Sequence, residues 1–140
     1  MERTLAIIKP DAVANGHAGK ILDRILQEGF AVRALKLVTL SKTEAEGFYA
    51  VHRERPFFGE LTDFMSSGPC IPLVLDRDDA VAKWREVIGA TNPADADEGT
   101  IRKQFATSMG ENAVHGSDSV ENGKLEANYF FPEHVIVANS

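Results

Sequence analysis

The chain has 140 residues, of which 44% are hydrophobic and 26% are charged, and its formal net charge at pH 7 is -6. This length and composition fit one domain with a sizeable core, so we expect a single domain over residues 1-140. The acidic balance argues against stable binding of nucleic acid, and no apolar run reaches the roughly 18 residues of a membrane span.

The first part of the chain alternates strand and helix patterns. The apolar run RTLAIIK, residues 3-9, predicts a buried strand that ends at Pro10, which has no backbone N–H to donate. Four apolar residues then share one face of a predicted helix that ends near Gly29: Ile21, Leu22, Ile25 and Leu26. The run FAVRALKLVTL, residues 30-40, predicts a second strand.

A pair of helices is predicted next. Ser41 and Glu44 have the spacing of a capping box, in which each side chain satisfies a backbone N–H of the other residue, so a helix is expected over residues 42-52. In the following segment, apolar residues recur at helical spacing before Gly68 and Pro69: Phe58, Leu61 and Met65.

The second half of the chain repeats the alternation. CIPLVL, residues 70-75, predicts a strand, and a helix follows Asp78 with one apolar face: Val81, Trp84 and Ile88. The segment ATNPADADEG, residues 90-99, has no apolar period and predicts an irregular excursion kept for function. After it we expect a helical turn at TIRKQF, a short strand at AVH, a helix over about 118-129 and an apolar tail, HVIVA.

The order of these elements predicts the fold class. Strand, helix, strand, helical pair, strand, helix, strand is the split βαβ order of ferredoxin-like folds, with helices on one face of a four-stranded antiparallel sheet. The class is therefore α+β. Because this fold supports many unrelated activities, the function must come from particular residues.

Several polar side chains stand where predicted elements end, which is where sites are built. They are Lys9, Arg85, Thr91 and Arg102. Each alone is most simply an exposed surface group, and His115, within NAVHGSDS, is by itself most simply a structural histidine. The chain has no GxxxxGK[ST] or GxGxxG loop, so any nucleotide phosphates must be held by side chains.

Five blocks of sequence together resemble the nucleoside diphosphate kinase family: IIKPDAV, HRERPFFGEL, GATNPAD, GTIRKQF and NAVHGSDS. They stand in the family's order and spacing from Arg3 to about Phe131, so the resemblance covers nearly the whole chain. It implies a ferredoxin-like nucleoside diphosphate kinase domain over residues 1-140. It also implies reversible transfer of the γ-phosphate of a nucleoside triphosphate such as ATP to a nucleoside diphosphate, by a ping-pong route through a phosphohistidine.

The resemblance assigns roles around the histidine. His115 corresponds to the nucleophile, whose neutral imidazole attacks the γ-phosphorus and carries the phosphate on Nδ1. Glu126 and Ser117 match the carboxylate and the hydroxyl that orient and polarise the ring, although an exposed helix glutamate is the ordinary alternative for Glu126. Tyr49 matches a tyrosine beside the phosphates, and a buried core tyrosine is its alternative.

Other correspondences concern the nucleotide. Lys9 matches a lysine that bonds the ribose hydroxyl and a phosphate, and Asn112 matches a residue that bonds the sugar. Three residues match the groups that hold the β and γ phosphates: Arg85, Thr91 and Arg102. Phe57 matches the aromatic residue on which the base stacks, whereas Phe58 is expected in the core. Because every base can stack, broad base specificity is expected.

Magnesium is expected to arrive on the β and γ phosphates and to keep several waters. Asp118 is the side chain expected to touch it, through water, and an N-terminal helix cap is the alternative role for this residue. The small residues Gly116 and Ala113 are expected to leave room for the phosphate to reach the ring.

The resemblance also bears on assembly and location. The segment around Pro93 matches a family loop at subunit contacts, so a closed homo-oligomer is expected, either a tetramer or a hexamer. Cys70 has no cysteine partner and is expected to be a buried strand residue. Together with a start, MERTLAIIKPD, that lacks the layout of a signal peptide, it favours a cytoplasmic location. His17 stands where the family usually has an apolar residue and is assigned no role.

Two other functions are compatible with parts of the pattern. A phosphorelay protein also carries phosphate on histidine, but usually on a helix of a bundle, whereas His115 is expected after a strand and before a helix. A nucleotide-sensing or interaction module of the same fold needs no nucleophile. The presence of His115 and Glu126 together with the cationic side chains argues against the sensing module.

Overall fold

The computed structural model describes residues 1-140 and contains a four-stranded antiparallel sheet. The strands are β1 (Glu2–Ile8), β2 (Ala31–Leu35), β3 (Ile71–Arg77) and β4 (Val114–Gly116). They lie in the order β2-β3-β1-β4, so β1 and β3 are central. This arrangement confirms the α+β, ferredoxin-like fold class.

Eight helices connect and follow the strands. They are α1 (Pro10–Ala14), α2 (Ala18–Gln27), α3 (Lys42–Phe48), α4 (Phe58–Met65), α5 (Ala80–Ile88), α6 (Ile101–Phe105), α7 (Val120–Phe130) and α8 (Glu133–Ala138). Single 3₁₀ turns lie at Ala50–His52 and Pro93–Asp95. The predicted order is confirmed, the HVIVA tail is helical, and no helix has both the length and the apolar character to cross a membrane.

The second strand is shorter than the prediction over residues 30-40. The register of β2 against β3 shifts between Val32 and Ala34, and the strand ends at Leu35. Beyond Leu35 the pairing continues only as a bond from the Lys36 N–H to the Pro72 carbonyl oxygen at 3.3 Å and an isolated bridge between Val38 and Cys70. The ladder resumes after this irregularity at Ala34 and Leu35, and such a bulge locally bends and twists the strand.

Helices cover both faces of the sheet, so the expectation of one covered face is wrong. Successive side chains of a strand point to opposite faces. Accordingly, Ala6 and Ile8 of β1 pack in a core with residues of α2 and α5, whereas Leu5 and Ile7 pack in a second core with residues of α3, α7 and α8. The continuous apolar run of β1 is typical of a strand buried on both sides.

Helix caps and one close approach fix the elements around β4. The predicted capping box of Ser41 and Glu44 is present at the start of α3. Ser119 caps α7 by accepting from the Asn122 N–H at 3.0 Å, so the helix-cap alternative for Asp118 is wrong. A Cβ on Gly123 would lie 2.5 Å from the Arg3 carbonyl oxygen, which shows how closely α7 crosses β1.

Candidate active site

His115 lies in β4, and its backbone is held from two sides. It pairs with Ile7 of β1, and its carbonyl oxygen accepts from the indole Nε1 of Trp84 at 3.0 Å. Gly116 packs directly against the indole of Trp84, because a Cβ on this residue would lie 2.7 Å from Trp84 Cδ1. Gly116 is therefore required for packing against Trp84, and the expectation that it opens space for a phosphate is wrong.

A chain of hydrogen bonds fixes the histidine ring. Glu126 Oε1 lies 2.8 Å from His115 Nε2 and accepts from Ser117 Oγ at 2.7 Å. Ser117 Oγ in turn accepts from the Leu5 N–H at 3.0 Å, so its one proton is available to Glu126. Because an ionised carboxylate can only accept, we assign the ring proton to Nε2. Nδ1 then keeps its lone pair.

Aromatic side chains pack against the same ring. Phe48 meets the His115 ring edge to face with the ring centroids 5.4 Å apart, and the Tyr49 centroid lies 6.4 Å away. The Tyr49 hydroxyl is buried and has no hydrogen-bond partner. Burial, followed by the negative charge of Glu126, raises the pKa of Tyr49, so the phenol remains protonated at neutral pH. Tyr49 is thus a buried neutral donor close to the histidine.

Lys9 and Asn112 form a buried pair beside β4. Lys9 Nζ donates to Asn112 Oδ1 at 2.8 Å, and Asn112 Nδ2 donates to the Thr91 carbonyl oxygen at 3.2 Å. Burial and repulsion from Arg102 lower the pKa of Lys9 to about 8, and the nearby charge of Asp11 opposes the shift. Near neutral pH the Lys9 ammonium is still charged, and the negative charge of Asp11 only partly offsets its burial and its repulsion from Arg102.

Arg102 is buried by contacts with backbone. Its two terminal nitrogens donate to the carbonyl oxygens of Gly89 and Val114, each at 2.9 Å, while its Nε has no partner. Burial and repulsion from Arg85 lower the pKa of Arg102 to about 10. The side chain therefore ties the end of α5 to β4 and concentrates positive charge beside His115.

Arg85 and Thr91 are exposed at the rim of a cavity of about 380 Å³, whose lining also includes Arg102. The three residues matched to phosphate binding are thus brought together. His115 does not line this cavity. A larger cavity of about 760 Å³ lies at the other end of β1, around Glu2 and Asp76, and contains none of the predicted site residues.

Phe57 stands further from the histidine. Its side chain is 48% exposed, and its ring contacts His52 at 5.6 Å between centroids. His52 in turn stacks on Tyr49 at 6.4 Å, so an aromatic row leads from the surface to the buried ring of Tyr49. Phe58 is partly buried and packs against the core, as predicted.

Asp118 is exposed and accepts from Asn122 Nδ2 at 2.6 Å. This bond, helped by the charge of Arg85, lowers the pKa of its carboxyl group. No group of three or more His, Cys, Asp or Glu side chains is arranged to hold a metal ion. The residues present therefore fit a metal held mainly by its own ligand.

Three contacts of the site were absent from the sequence prediction. Phe48 and Trp84 touch His115, and their apolar spacing gave no sign of it. Asp11 accepts from the Ala113 N–H at 3.1 Å, and it stands within the KPD sequence next to a predicted site lysine. Ala113 itself is completely buried with a φ of 72°, so it shapes the backbone and the expectation that it leaves room for a phosphate is wrong.

The two remaining residues behave as ordinary packing groups. Cys70 is completely buried, which confirms the predicted burial, but it lies just before β3 in an isolated bridge with Val38 and is not a residue of the strand; burial raises the pKa of its thiol to about 11. His17 packs on Phe105 with 4.7 Å between ring centroids and takes no part in the contacts of His115.

Comparison with known proteins gives one consistent result. Residues 2–136 match the model of the family described as nucleoside diphosphate kinase. The nucleoside diphosphate kinase of Salinibacter ruber is 62% identical over 139 residues, covering 99% of this chain and 98% of the relative. That of Desulfotalea psychrophila is 61% identical over 131 residues, covering 94% and 96%. The crystal structure of the Aquifex aeolicus nucleoside diphosphate kinase has a TM-score of 0.92 and 50% identity, covering 93% of this chain and 94% of its own.

Proposed function

Since the chain belongs to the nucleoside diphosphate kinase family, and transfers the γ-phosphate of nucleoside triphosphates to nucleoside diphosphates, we propose that His115 carries the phosphate between the two nucleotides. The observation that carries this assignment is the 2.8 Å contact between His115 Nε2 and Glu126 Oε1. It leaves the Nδ1 lone pair as the nucleophile of a neutral imidazole.

The first half-reaction would form one bond and break one. Nδ1 of His115 attacks the γ-phosphorus, the bond from that phosphorus to the β,γ-bridging oxygen breaks, and the nucleoside diphosphate leaves with the electron pair. The ring becomes cationic and keeps its Nε2 proton, and the carboxylate of Glu126 stabilises that charge. The second half-reaction reverses these steps with another nucleoside diphosphate, and Ser117 keeps Glu126 in place during both.

We propose that positive charge beside β4 binds the phosphates. Lys9 and Arg102 are buried and adjacent, and Arg85 lies close enough to Arg102 to affect it. Phosphoryl transfer mainly requires positioning and neutralisation of charge on the equatorial oxygens, which these cations supply. Thr91 at the cavity rim and the neutral hydroxyl of Tyr49 supply hydrogen bonds to the same oxygens.

The sugar and base would lie towards the surface. Asn112, whose side chain accepts from Lys9, would exchange that bond for one to the ribose. Phe57 offers an exposed ring on which a base can stack, and the neighbouring ring of His52 extends that surface. Stacking alone does not read the edge of a base, which supports broad base specificity.

Magnesium would enter as part of the substrate, bound to the β and γ phosphates. The lack of a three-residue ligand cluster supports this arrangement over a resident metal site. Asp118, whose carboxyl group lies near Arg85, is the residue we propose to reach the ion through water. When bound, the ion neutralises phosphate charge and fixes the geometry of the triphosphate.

We also propose that residues 1-140 act as one domain within a closed homo-oligomer in the cytoplasm. Both cores share the same sheet, which supports a single domain.

The outer edge of β2 and the exposed side chains of Leu35 and Leu37 support contact with another copy, in a tetramer or a hexamer. Light scattering coupled to gel filtration distinguishes these states. A single free cysteine, Cys70, is compatible with a reducing compartment.

The assignment of His115 is tested by brief incubation with γ-labelled ATP and magnesium. We expect label on the chain that is stable to alkali, labile to acid and discharged by unlabelled GDP or CDP. His115→Ala should take no label and lose about 1,000-fold or more in turnover, while its affinity for ADP stays within about tenfold, because the rest of the pocket remains. Label on His115→Ala, or loss of ADP binding together with activity, would contradict the assignment.

A further inference from the structure

The backbone just before β4 has an unusual shape. Ala113 has a φ of 72°, a left-handed conformation that residues with a Cβ rarely adopt, and the Val114 N–H donates to the Asn112 carbonyl oxygen at 2.8 Å. A bond between residues two apart, around a residue of positive φ, is the strained form of γ-turn. Asn112 enters this turn, and His115 stands two residues after Ala113.

Both backbone groups of Ala113 are held by the segment that follows β1. Its carbonyl oxygen accepts from the Lys9 N–H at 2.8 Å, and its N–H donates to Asp11 Oδ2 at 3.1 Å. Asp11 lies in the first turn of α1, one residue after Pro10. The first bond is between backbones and can form with any residue at position 9, whereas the second depends on the side chain of Asp11.

The carboxylate of Asp11 makes no other hydrogen bond, and its remaining effect is that of its charge on Lys9. Its Oδ1 is buried and has no hydrogen-bond partner, and it takes no part in a salt bridge within 4.0 Å. A buried carboxylate oxygen without a partner costs stability, so a chain with no need for the other oxygen would do better with an apolar residue. The bond to Ala113 is the one hydrogen bond that the Asp11 side chain makes.

We propose that Asp11 is a positioning residue for phosphoryl transfer. Its hydrogen bond keeps Ala113 in the left-handed turn and thereby fixes the direction in which β4 presents His115 to the γ-phosphate. Asp11 makes no hydrogen bond with the histidine ring and would act only through the backbone of Ala113. This inference rests on the proposed role of His115 as the phosphate carrier.

Two single variants first separate this role from a merely structural one. Asp11→Asn keeps an oxygen that can accept from the Ala113 N–H, so it should lose no more than about threefold in the rate of His115 phosphorylation in a single turnover with labelled ATP. Asp11→Ala loses that acceptor and should slow the step about 10- to 100-fold. The affinity of Asp11→Ala for ADP should change by less than about threefold.

Combining Asp11→Ala with Ala113→Gly provides the decisive test. Glycine adopts positive φ without steric cost, so the turn can persist without the bond from Asp11. The double variant should recover at least threefold of the rate that Asp11→Ala loses. Ile136→Val, which removes one methyl group from the other core, is the matched control for mild destabilisation and should phosphorylate at the wild-type rate.

Several results would overturn the inference. They are equal losses for Asp11→Asn and Asp11→Ala, no recovery in the double variant, or a loss in Ile136→Val as large as that in Asp11→Ala. Should Asp11→Ala fail to fold, Asp11→Asn and its rate relative to the wild type still test the role of the acceptor: a loss above tenfold would contradict it. If wild-type chain takes no label at His115, the proposed function itself fails, whereas normal labelling of Asp11→Ala removes only the role of Asp11.

Discussion

The buried part and the exposed part of the site are built differently. Around His115, most polar atoms already have partners within the chain, as in the sequence of bonds from Leu5 through Ser117 and Glu126 to the ring. In the exposed part, Arg85 at the cavity rim makes no side-chain hydrogen bond, and the ring of Phe57 is 48% exposed. On the proposed roles, the chemistry rests on groups held by hydrogen bonds within the chain, whereas the nucleotide would first meet exposed groups.

This difference has a physical reason. Transfer of a phosphoryl group requires the nucleophile and the neutralising charges to be in position before the reaction, since moving them during the step would cost activation free energy. Recognition of many bases requires little more than a flat apolar surface. Substitutions in the buried part should therefore affect kcat and stability together, whereas those in the exposed part should change catalysis or nucleotide affinity and leave stability unchanged.

The largest effect is expected for Glu126→Ala. Without the carboxylate, the proton of His115 is no longer held on Nε2, and the charge of the phosphorylated ring is not balanced, so kcat should fall about 100- to 1,000-fold. Presteady-state measurement of the phosphoenzyme gives the rate. Glu121→Ala, which removes an exposed glutamate of the same helix, is the control and should keep full activity. Equal activity of the two variants would show that the buried chain of bonds is not needed.

A comparison of the two arginines sharpens the distinction. Arg102→Ala leaves the carbonyl oxygens of Gly89 and Val114 without their donor, so it should lower the free energy of unfolding by about 2-4 kcal/mol as well as reduce kcat about 100-fold. Arg85→Ala removes an exposed side chain and should change stability by less than about 0.5 kcal/mol while still weakening activity. Urea denaturation of both variants measures the difference, and equal stability losses would contradict it.

The pH dependence of Lys9 should separate activity from stability. The pKa of Lys9 is lowered from 10.5 to about 8 in the folded chain, so its charge is lost as the pH rises through 8, and kcat/KM for ADP should fall about tenfold per unit above that. Between these two values the unfolded chain binds more protons at Lys9 than the folded chain does. The contribution of Lys9 to folding stability therefore becomes more favourable as the pH rises.

Both trends can be measured between pH 7 and 9.5. The urea midpoint of the wild type relative to that of Lys9→Met isolates the contribution of this group, since all other titrations are shared. A flat kcat/KM, or a relative midpoint that falls with rising pH, would show that Lys9 does not titrate in this range.

The smallest effect is expected for Phe57→Ala. Its ring is half exposed, so its loss should leave the denaturation midpoint unchanged and raise KM about three- to tenfold for purine and pyrimidine nucleotides alike. Val51→Ala, at a more exposed apolar side chain nearby in sequence, is the control for surface apolarity. A rise confined to purine nucleotides would reveal contacts to the edge of the base.

Much of this arrangement could be predicted from the sequence. The element order predicted the fold, and the resemblance selected residues that the structure brings to one region, including His115 and Glu126 at positions eleven apart. The sequence could not distinguish the buried part from the rim. Arg85 and Arg102 look alike in a sequence, yet only the second is locked to carbonyl oxygens from two other segments.

The errors have the same origin. Gly116 was assigned to phosphate access because small residues beside a nucleophile favour access, but the constraint is the indole of Trp84, 32 residues away. Asp11 attracted no role because its partner is a backbone N–H more than 100 residues along the chain. Contacts of this kind depend on the packing of helices against the sheet, which local patterns do not specify.

The most direct test of a fixed buried centre is to locate the proton and the phosphate on the ring of His115. Long-range ¹H–¹⁵N correlation spectra of ¹⁵N-labelled chain, recorded before and after phosphorylation by ATP, distinguish the two ring nitrogens. We expect the free chain to carry its proton on Nε2 and the phosphorylated chain to carry phosphate on Nδ1. A proton on Nδ1 in the free chain, or phosphate on Nε2, would contradict an orientation set in advance by Glu126.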